Sequence, residues 1–237
     1  MRPAHTLITG GSGTIGALLA RHLLDAGARV TTIGTQERPA AHARHTHLVA
    51  DLRSSDAART IVGSLHDPPD ALVALAARQT TGGLGELSQD QLNDVMAVKV
   101  WTPAVLAAEL IPHMVEAGWG RVILTGGVAA HRPSNAIATG AVANSAVRTV
   151  TTALANDLAG TSVTVNCLTP GAVESARLEA TREAMIGSGK RQNFESVPLL
   201  SPQEIVNVIL FLLSDAAAGL SGSEVIVDGG LLAASNL

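Results

Sequence analysis

A single doubly wound α/β domain, a seven-stranded parallel sheet with helices on both faces, is the fold predicted by this 237-residue sequence. Three observations predict it. Apolar runs of strand length alternate with stretches of helical periodicity along the chain, as in a parallel sheet connected by helical crossovers. Apolar residues make up 46% and charged residues 15%, with abundant Ala and Gly and almost no aromatics, which suits helices packed closely on a sheet. Finally, the first apolar run passes into the first helical stretch through a cluster of glycines.

Strands are predicted at 5–9, 29–33, 46–50, 71–76, 121–125, 162–168 and 224–227. Thr6, Leu7 and Ile8 form the first buried run, and Ile15, Leu18, Leu19, Leu23 and Leu24 then recur at helical spacing. Helical stretches lie near 15–26, 54–65, 88–117, 134–159, 173–187 and 202–214. Pro103 and Pro112 are expected to start, kink or interrupt the third. The polar segment Gly187 to Asn193 reads as a loop, either a lid or an ordinary solvated connection. No linker, repeat or low-complexity block divides the chain, so residues 1–237 are read as one domain.

The net charge of −4 gives no reason to expect nucleic acid or a membrane surface as partner. No apolar run reaches membrane-spanning length, and the N-terminus shows no signal-peptide pattern. Cys167 is the only cysteine, so no internal disulfide is possible. It reads as an inert core thiol in a cytoplasmic protein. His42, His45 and His47 match no standard metal spacing and read as surface residues.

Thr9-Gly10-Gly11-Ser12-Gly13-Thr14-Ile15-Gly16 is the most informative stretch. Gly11, Gly13 and Gly16 fit G-x-G-x-x-G between a strand and an amphipathic helix. Glycines there let the backbone approach a pyrophosphate, and the helix N-terminus points its N–H groups at the negative charge. A strand-to-helix turn without ligand is the alternative.

With these residues in place, the chain resembles the short-chain dehydrogenase/reductase family along nearly its whole length. The loop is similar to that family's glycine motif. Asp51-Leu52 resembles its adenine-contacting pair, and Asp70 to Ala77 its fourth-strand motif, with Ala74, Leu75 and Ala77 departing from it. Asn166 to Gly171 resembles the segment that closes over a nicotinamide. Ser201 to Ile205, Leu210 to Asp215 and Val227 to Gly230 are similar to its C-terminal signature. The resemblance implies a Rossmann-like fold and a homodimer or homotetramer built on the long helices. It also implies cofactor contacts at Gly10, Ser12, Gly13, Ile15, Gly16, Thr35, Arg38, Asp51, Leu52, Ala76, Pro170 and Gly171. Gly34 stands where an acidic residue would hold the ribose of NAD, and Arg38 is near to meet a 2′-phosphate, so NADP(H) is the dinucleotide favoured. NADP(H) held weakly or structurally, and no dinucleotide at all, both stay open.

The family's chemistry uses an asparagine, a serine, a tyrosine and a lysine. The resemblance places Lys99, Gly127, Gly140 and Asn144 at those four positions, and the chain contains no tyrosine anywhere. Lys99, Asn144, His131 and Thr125 are the candidate catalytic residues. Lys99 reads as a base, a Schiff-base nucleophile or a structural cation. Asn144 reads as a hydrogen-bond donor, Thr125 and Thr139 as hydroxyls near the site, His131 as a titrating group of the substrate loop. Arg78 reads as an anion-binding or a surface residue. Two lost side chains imply a wider, less polar pocket for a large apolar small molecule. The favoured expectation is a non-redox enzyme performing cyclisation, isomerisation or elimination, of the kind that serves secondary metabolism. A catalytically inactive subunit or ligand sensor, and an atypical NADP-dependent oxidoreductase, are the alternatives.

Overall fold

The computed structural model describes residues 3–40, 42–78, 80, 82–175, 178–179 and 198–234. Seven strands form one parallel sheet: β1 (His5–Thr9), β2 (Arg29–Gly34), β3 (His45–Val49), β4 (Ala71–Ala74), β5 (Gly120–Thr125), β6 (Val163–Pro170) and β9 (Glu224–Val227). Their order is β3-β2-β1-β4-β5-β6-β9. A small parallel pair, β7 (Ala172–Val173) and β8 (Leu199–Leu200), lies outside it. The chain reverses direction across the sheet between β1 and β4, which opens a crevice at the carboxyl ends of those strands, where such sheets hold ligands.

Helices cover both faces. The helices α1 (Thr14–Asp25) and α6 (Pro202–Leu212) share one core with Ile8, Val73, Ile123 and Leu168. The other core joins Leu7, Leu72, Val122 and Val165 to α2 (Ala57–Gly63), α4 (Thr102–Glu116) and α5 (Ala138–Asn156). Strands buried on both faces explain the continuous apolar runs in the sequence. Ser201 starts α6 with a reciprocal capping box to Glu204, which also satisfies the Ser201 backbone N–H. Cys167 is buried, and burial pushes its thiol pKa up.

The third helical stretch differs from its sequence reading. Pro103 sits in the first turn of α4 and the helix runs on across Pro112. The irregularity lies before both prolines. Between α3 (Gln89–Met96) and α4, residues Ala97–Trp101 form a single π turn that carries Lys99. Together Gln89–Glu116 make a helix long and apolar enough to cross a membrane, contrary to the expectation that no such stretch exists. Val95, Val100, Leu106, Leu110 and Met114 bury its apolar side in the core.

His42 is exposed as expected, whereas His45 and His47 within β3 are half-buried and depart from a surface role. Rings of His45 and His47 flank the Thr32 hydroxyl at 2.9 and 2.8 Å, and His47 Nε2 donates to the Gln36 carbonyl at 2.9 Å. Burial lowers the His45 pKa. The predicted loop at 187–193 lies outside the described residues.

Candidate functional site

Three of the loop glycines are dictated by geometry, and a Cβ on Gly11 would overlap the Thr32 side chain at its Cβ. Gly10 has φ +70°, and a Cβ there would stand 2.8 Å from the Ala76 backbone nitrogen. A Cβ on Gly16 would overlap the Gly10 carbonyl oxygen, so only hydrogen lets α1 start this close to the turn. The turn closes with Gly13 N–H donating to Gly10 O at 3.0 Å. Thr9 ties it to β4, accepting at Oγ1 from the Ala76 N–H at 3.2 Å. That bond also ends β4 at Ala74, two residues earlier than the sequence reading.

The loop forms one wall of a cleft of about 600 Å³. Gly10, Ser12, Gly13, Ile15 and Gly16 line it together with Lys99, Thr125, Gly127 and Asn144, and so do Pro170 and Gly171. Thus seven of the twelve predicted cofactor residues and three of the four catalytic candidates share one cavity. Thr35, Arg38, Asp51, Leu52 and Ala76 are not in its wall. Asp51 is held by Arg53, whose guanidinium bonds lower the carboxyl pKa. Leu52 is core, and its carbonyl accepts from Thr102 Oγ1 at 2.8 Å.

His131 is the catalytic candidate the structure removes from the cleft. Its Nε2 lies 2.8 Å from Glu224 Oε1, on the far side of β6. Glu224 also accepts from Thr169 Oγ1 at 2.7 Å and pairs with Arg148 Nε at 2.7 Å. Burial raises the Glu224 pKa, but the hydrogen bonds from His131 and Thr169 and the nearby cations outweigh it, so the net shift is downward. A carboxylate depressed in the folded state stabilises the fold above the ordinary glutamate range, and that contribution is lost as pH falls through the depressed value. The urea midpoint is therefore expected to fall as pH drops below about 4.5, and less steeply in Glu224→Gln. Chemical denaturation across that range, wild type against variant, checks this.

Lys99 projects from the π turn, and its Nζ donates to the Gly126 carbonyl at 3.0 Å. It is the one charged side chain among the described residues lining the cleft. Thr125 Oγ1 is buried there without a partner among the described residues. Asn144 is 8% exposed, and its amide occupies the space over Gly127, where an added Cβ would lie 2.8 Å from Nδ2. The pocket is therefore not widened at Gly127 as expected, because Asn144 fills it. At Gly140 an added Cβ meets nothing within 4 Å, so that position is open.

Sequence reasoning missed several lining groups. Gly126 contributes only its carbonyl, and Ala77, Val128 and Ala129 contribute only small apolar surface. None carries a functional group that a sequence displays. Thr80, with its buried hydroxyl unpartnered among the described residues, lines a smaller chamber beside the cleft, together with Arg78, Lys99 and Asn144.

A family model described as enoyl-(acyl carrier protein) reductase matches residues 11–232. Dehydrogenase/reductase SDR family member 4 of Pongo abelii is 26% identical over 94% of this chain and 86% of its own length. The TT0495 protein of Thermus thermophilus superposes with a TM-score of 0.87 at 30% identity, covering 99% of this chain and 100% of that one. A 3-oxoacyl-(acyl-carrier-protein) reductase of Agrobacterium tumefaciens C58, solved with NADP bound, gives 0.81 at 27% identity, covering 96% and 94%. These names overturn the expectation of a non-redox enzyme acting by cyclisation, isomerisation or elimination, since they point to redox chemistry. The physical reason is that a missing tyrosine removes one proton donor and does not by itself exclude hydride transfer. The match over nearly all of its residues makes this chain a member of the short-chain dehydrogenase/reductase family.

Proposed function

We propose that this chain is an NADP(H)-dependent oxidoreductase that interconverts a carbonyl and an alcohol without a catalytic tyrosine. The observation that carries the reading is the single cleft that joins the glycine cradle to Lys99. The cradle fits a dinucleotide: Gly10 and Gly16 let the turn close against Ala76 and the start of α1, and the backbone of that turn lines the cleft. When bound, the nicotinamide supplies a hydride to a carbonyl carbon or accepts one from an alcohol carbon. Ser12, Gly13 and Ile15 would hold the phosphates, and Pro170 and Gly171 would line the same cleft around the rest of the cofactor. Preference for the 2′-phosphate rests on β2. Gly34 carries no acidic side chain to hold a ribose, a Cβ there would press on the His47 ring at 3.1 Å, and Arg38 stands exposed four residues on.

The usual four positions carry Lys99, Gly127, Gly140 and Asn144, so the proton must come from elsewhere. Lys99 takes that part: its ammonium gives a proton to the oxygen of a reduced carbonyl, and its amine recovers one from solvent. Asn144 donates a hydrogen bond to the same oxygen. The Gly126 carbonyl fixes the Lys99 head group at the cleft wall. We further propose that residues 1–237 act as one unit in a homodimer or homotetramer, with Trp101, Val105 and Val142 as the apolar surface covered on assembly.

Deuterium at the transferring position of NADPH tests the chemistry. Incubation with short oxo acids and aldehydes should yield an alcohol carrying one deuterium; oxidation of NADPH without label in the product would refute hydride transfer. Gly16→Val should abolish both labelling and NADPH binding, because the new side chain overlaps the Gly10 carbonyl.

A further inference from the structure

The end of β2 carries a second polar cluster, beside the phosphate loop. Gly34 is partnered in register with Val49 there, and Thr32 with His47 two residues earlier. Gly11 seats the phosphate loop directly on Thr32, since a Cβ on Gly11 would overlap that side chain. The position that a Cβ on Gly34 would take is flanked by the His47 ring, with Cε1 at 3.1 Å and Nε2 at 3.5 Å, and by the Ser12 hydroxyl at 3.8 Å. Sheets of this kind hold the adenine ribose and its 2′-substituent at the end of the second strand. His47, reaching over from β3, therefore occupies the place from which a side chain at 34 would read that substituent.

Hydrogen bonds fix the state of the ring. His47 Nε2 lies 2.9 Å from the Gln36 carbonyl, which can only accept, so Nε2 carries the hydrogen. Nδ1 of the neutral ring is then an acceptor and takes the Thr32 O–H at 2.8 Å. The Thr32 oxygen accepts in turn from His45 Nε2 at 2.9 Å. This chain has room for one more proton. With Nδ1 protonated, His47 donates to Thr32, and Thr32 turns its O–H to His45 Nε2 in the other tautomer of that ring. None of the three bonds is lost. Burial and the neighbouring rings of His47 and His42 lower the His45 pKa, so the added charge falls on His47. Around them, Glu37 and Arg38 stand exposed after β2, Asp51 is held by Arg53, and Arg44 donates to the Leu24 carbonyl. Thr32, Gly34 and the phosphate loop bring no charge.

We infer that His47 selects a phosphate on the 2′-oxygen of the adenine ribose and takes up one proton from solvent as that phosphate docks, with Thr32 and His45 as positioning residues. An imidazolium beside a phosphate dianion is a charge-assisted pair that the neutral ring cannot make. A ribose with a free 2′-hydroxyl brings no anion and draws no proton. The inference rests on the dinucleotide reading for its ligand, and not on the hydride chemistry.

Calorimetric titration of the full chain at about pH 7.5, in two buffers of different ionisation enthalpy, tests it with adenosine 2′,5′-bisphosphate against adenosine 5′-monophosphate. The probes differ in the 2′-phosphate alone, and neither carries a nicotinamide. The bisphosphate should bind about tenfold more tightly and take up about one proton more per chain. His47→Gln, which keeps a donor for the Gln36 carbonyl, should cost the bisphosphate about tenfold, abolish the extra uptake and leave the monophosphate within about twofold. Thr32→Val, of nearly the same shape, should reduce the uptake, and Thr32→Ser should restore it. Equal uptake for the two probes in wild type, uptake unchanged in His47→Gln, or no saturable bisphosphate binding up to about 5 mM would overturn the inference. Monophosphate binding without a bisphosphate preference fails this inference alone. Absence of deuterium transfer from NADPH with the proton uptake intact refutes the oxidoreductase reading alone.

Discussion

Lys99→Met is expected to lower the rate of carbonyl reduction by roughly 10²- to 10⁴-fold, the range over which a positioned proton donor acts. Methionine keeps the unbranched shape and the helix propensity of lysine while removing the charge and the transferable proton. The π turn and its packing through Val100 should therefore survive, and the loss should fall on kcat more than on dinucleotide affinity. The pH dependence separates this role from a structural one. In wild type the rate of reduction should fall on the alkaline side as the ammonium loses its proton, and the variant should show a flat limb there. If Lys99 only props the Gly126 carbonyl, the pH profile of Lys99→Met would retain the wild-type shape. Single-turnover reduction of a carbonyl substrate identified by the deuterium-transfer experiment measures both.

Arg121→Ala is expected to destabilise the fold by about 3–5 kcal/mol, a large share of the roughly 5–15 kcal/mol that holds a domain together. Arg121 begins the interior of β5 and is 1% exposed, an extreme burial for a cation. Its guanidinium donates to the Gly120 carbonyl at 2.8 Å, the Ser162 carbonyl at 3.0 Å and the Ser214 carbonyl at 3.4 Å. It also lies over the Trp119 ring, 4.6 Å from the centroid. The pairing with Asp215 at 3.6 Å adds little, because that carboxylate is 75% exposed. Truncation leaves a cavity and strands carbonyls that join β5 to the start of β6 and the end of α6. Urea denaturation checks this; a loss below about 1 kcal/mol would mean that water replaces the guanidinium at little cost.

The sheet is readable in the sequence because its central strands are buried on both faces and run largely apolar. All seven predicted strands are present within a few residues. The phosphate loop is equally readable, since Gly10 and Gly16 sit where no other residue fits. What escapes a reading of the sequence is set by contacts between distant residues. Nothing in the stretch around Lys99 announces a π turn. The pairing of His131 with Glu224 spans 93 residues, so a loop histidine reads as available when its ring is committed to β9. Pro103 starts α4, one of the outcomes the sequence allows, and only Pro112 misleads, since it is carried within α4 without ending it. Losing two side chains does not widen the pocket evenly, since the Asn144 amide fills one vacated place and leaves the other open. The absence of tyrosine weighs too heavily on the expected chemistry, because hydride transfer depends on the cradle and the cleft as much as on the proton donor.

The most direct test of the central claim is a calorimetric titration of the purified wild-type chain with NADPH and with NADH. The expected result is saturable binding of one NADPH per chain, with NADH weaker and Gly16→Val silent toward both. Absence of saturable binding of either dinucleotide up to about 1 mM, or binding that Gly16→Val leaves intact, would contradict the account.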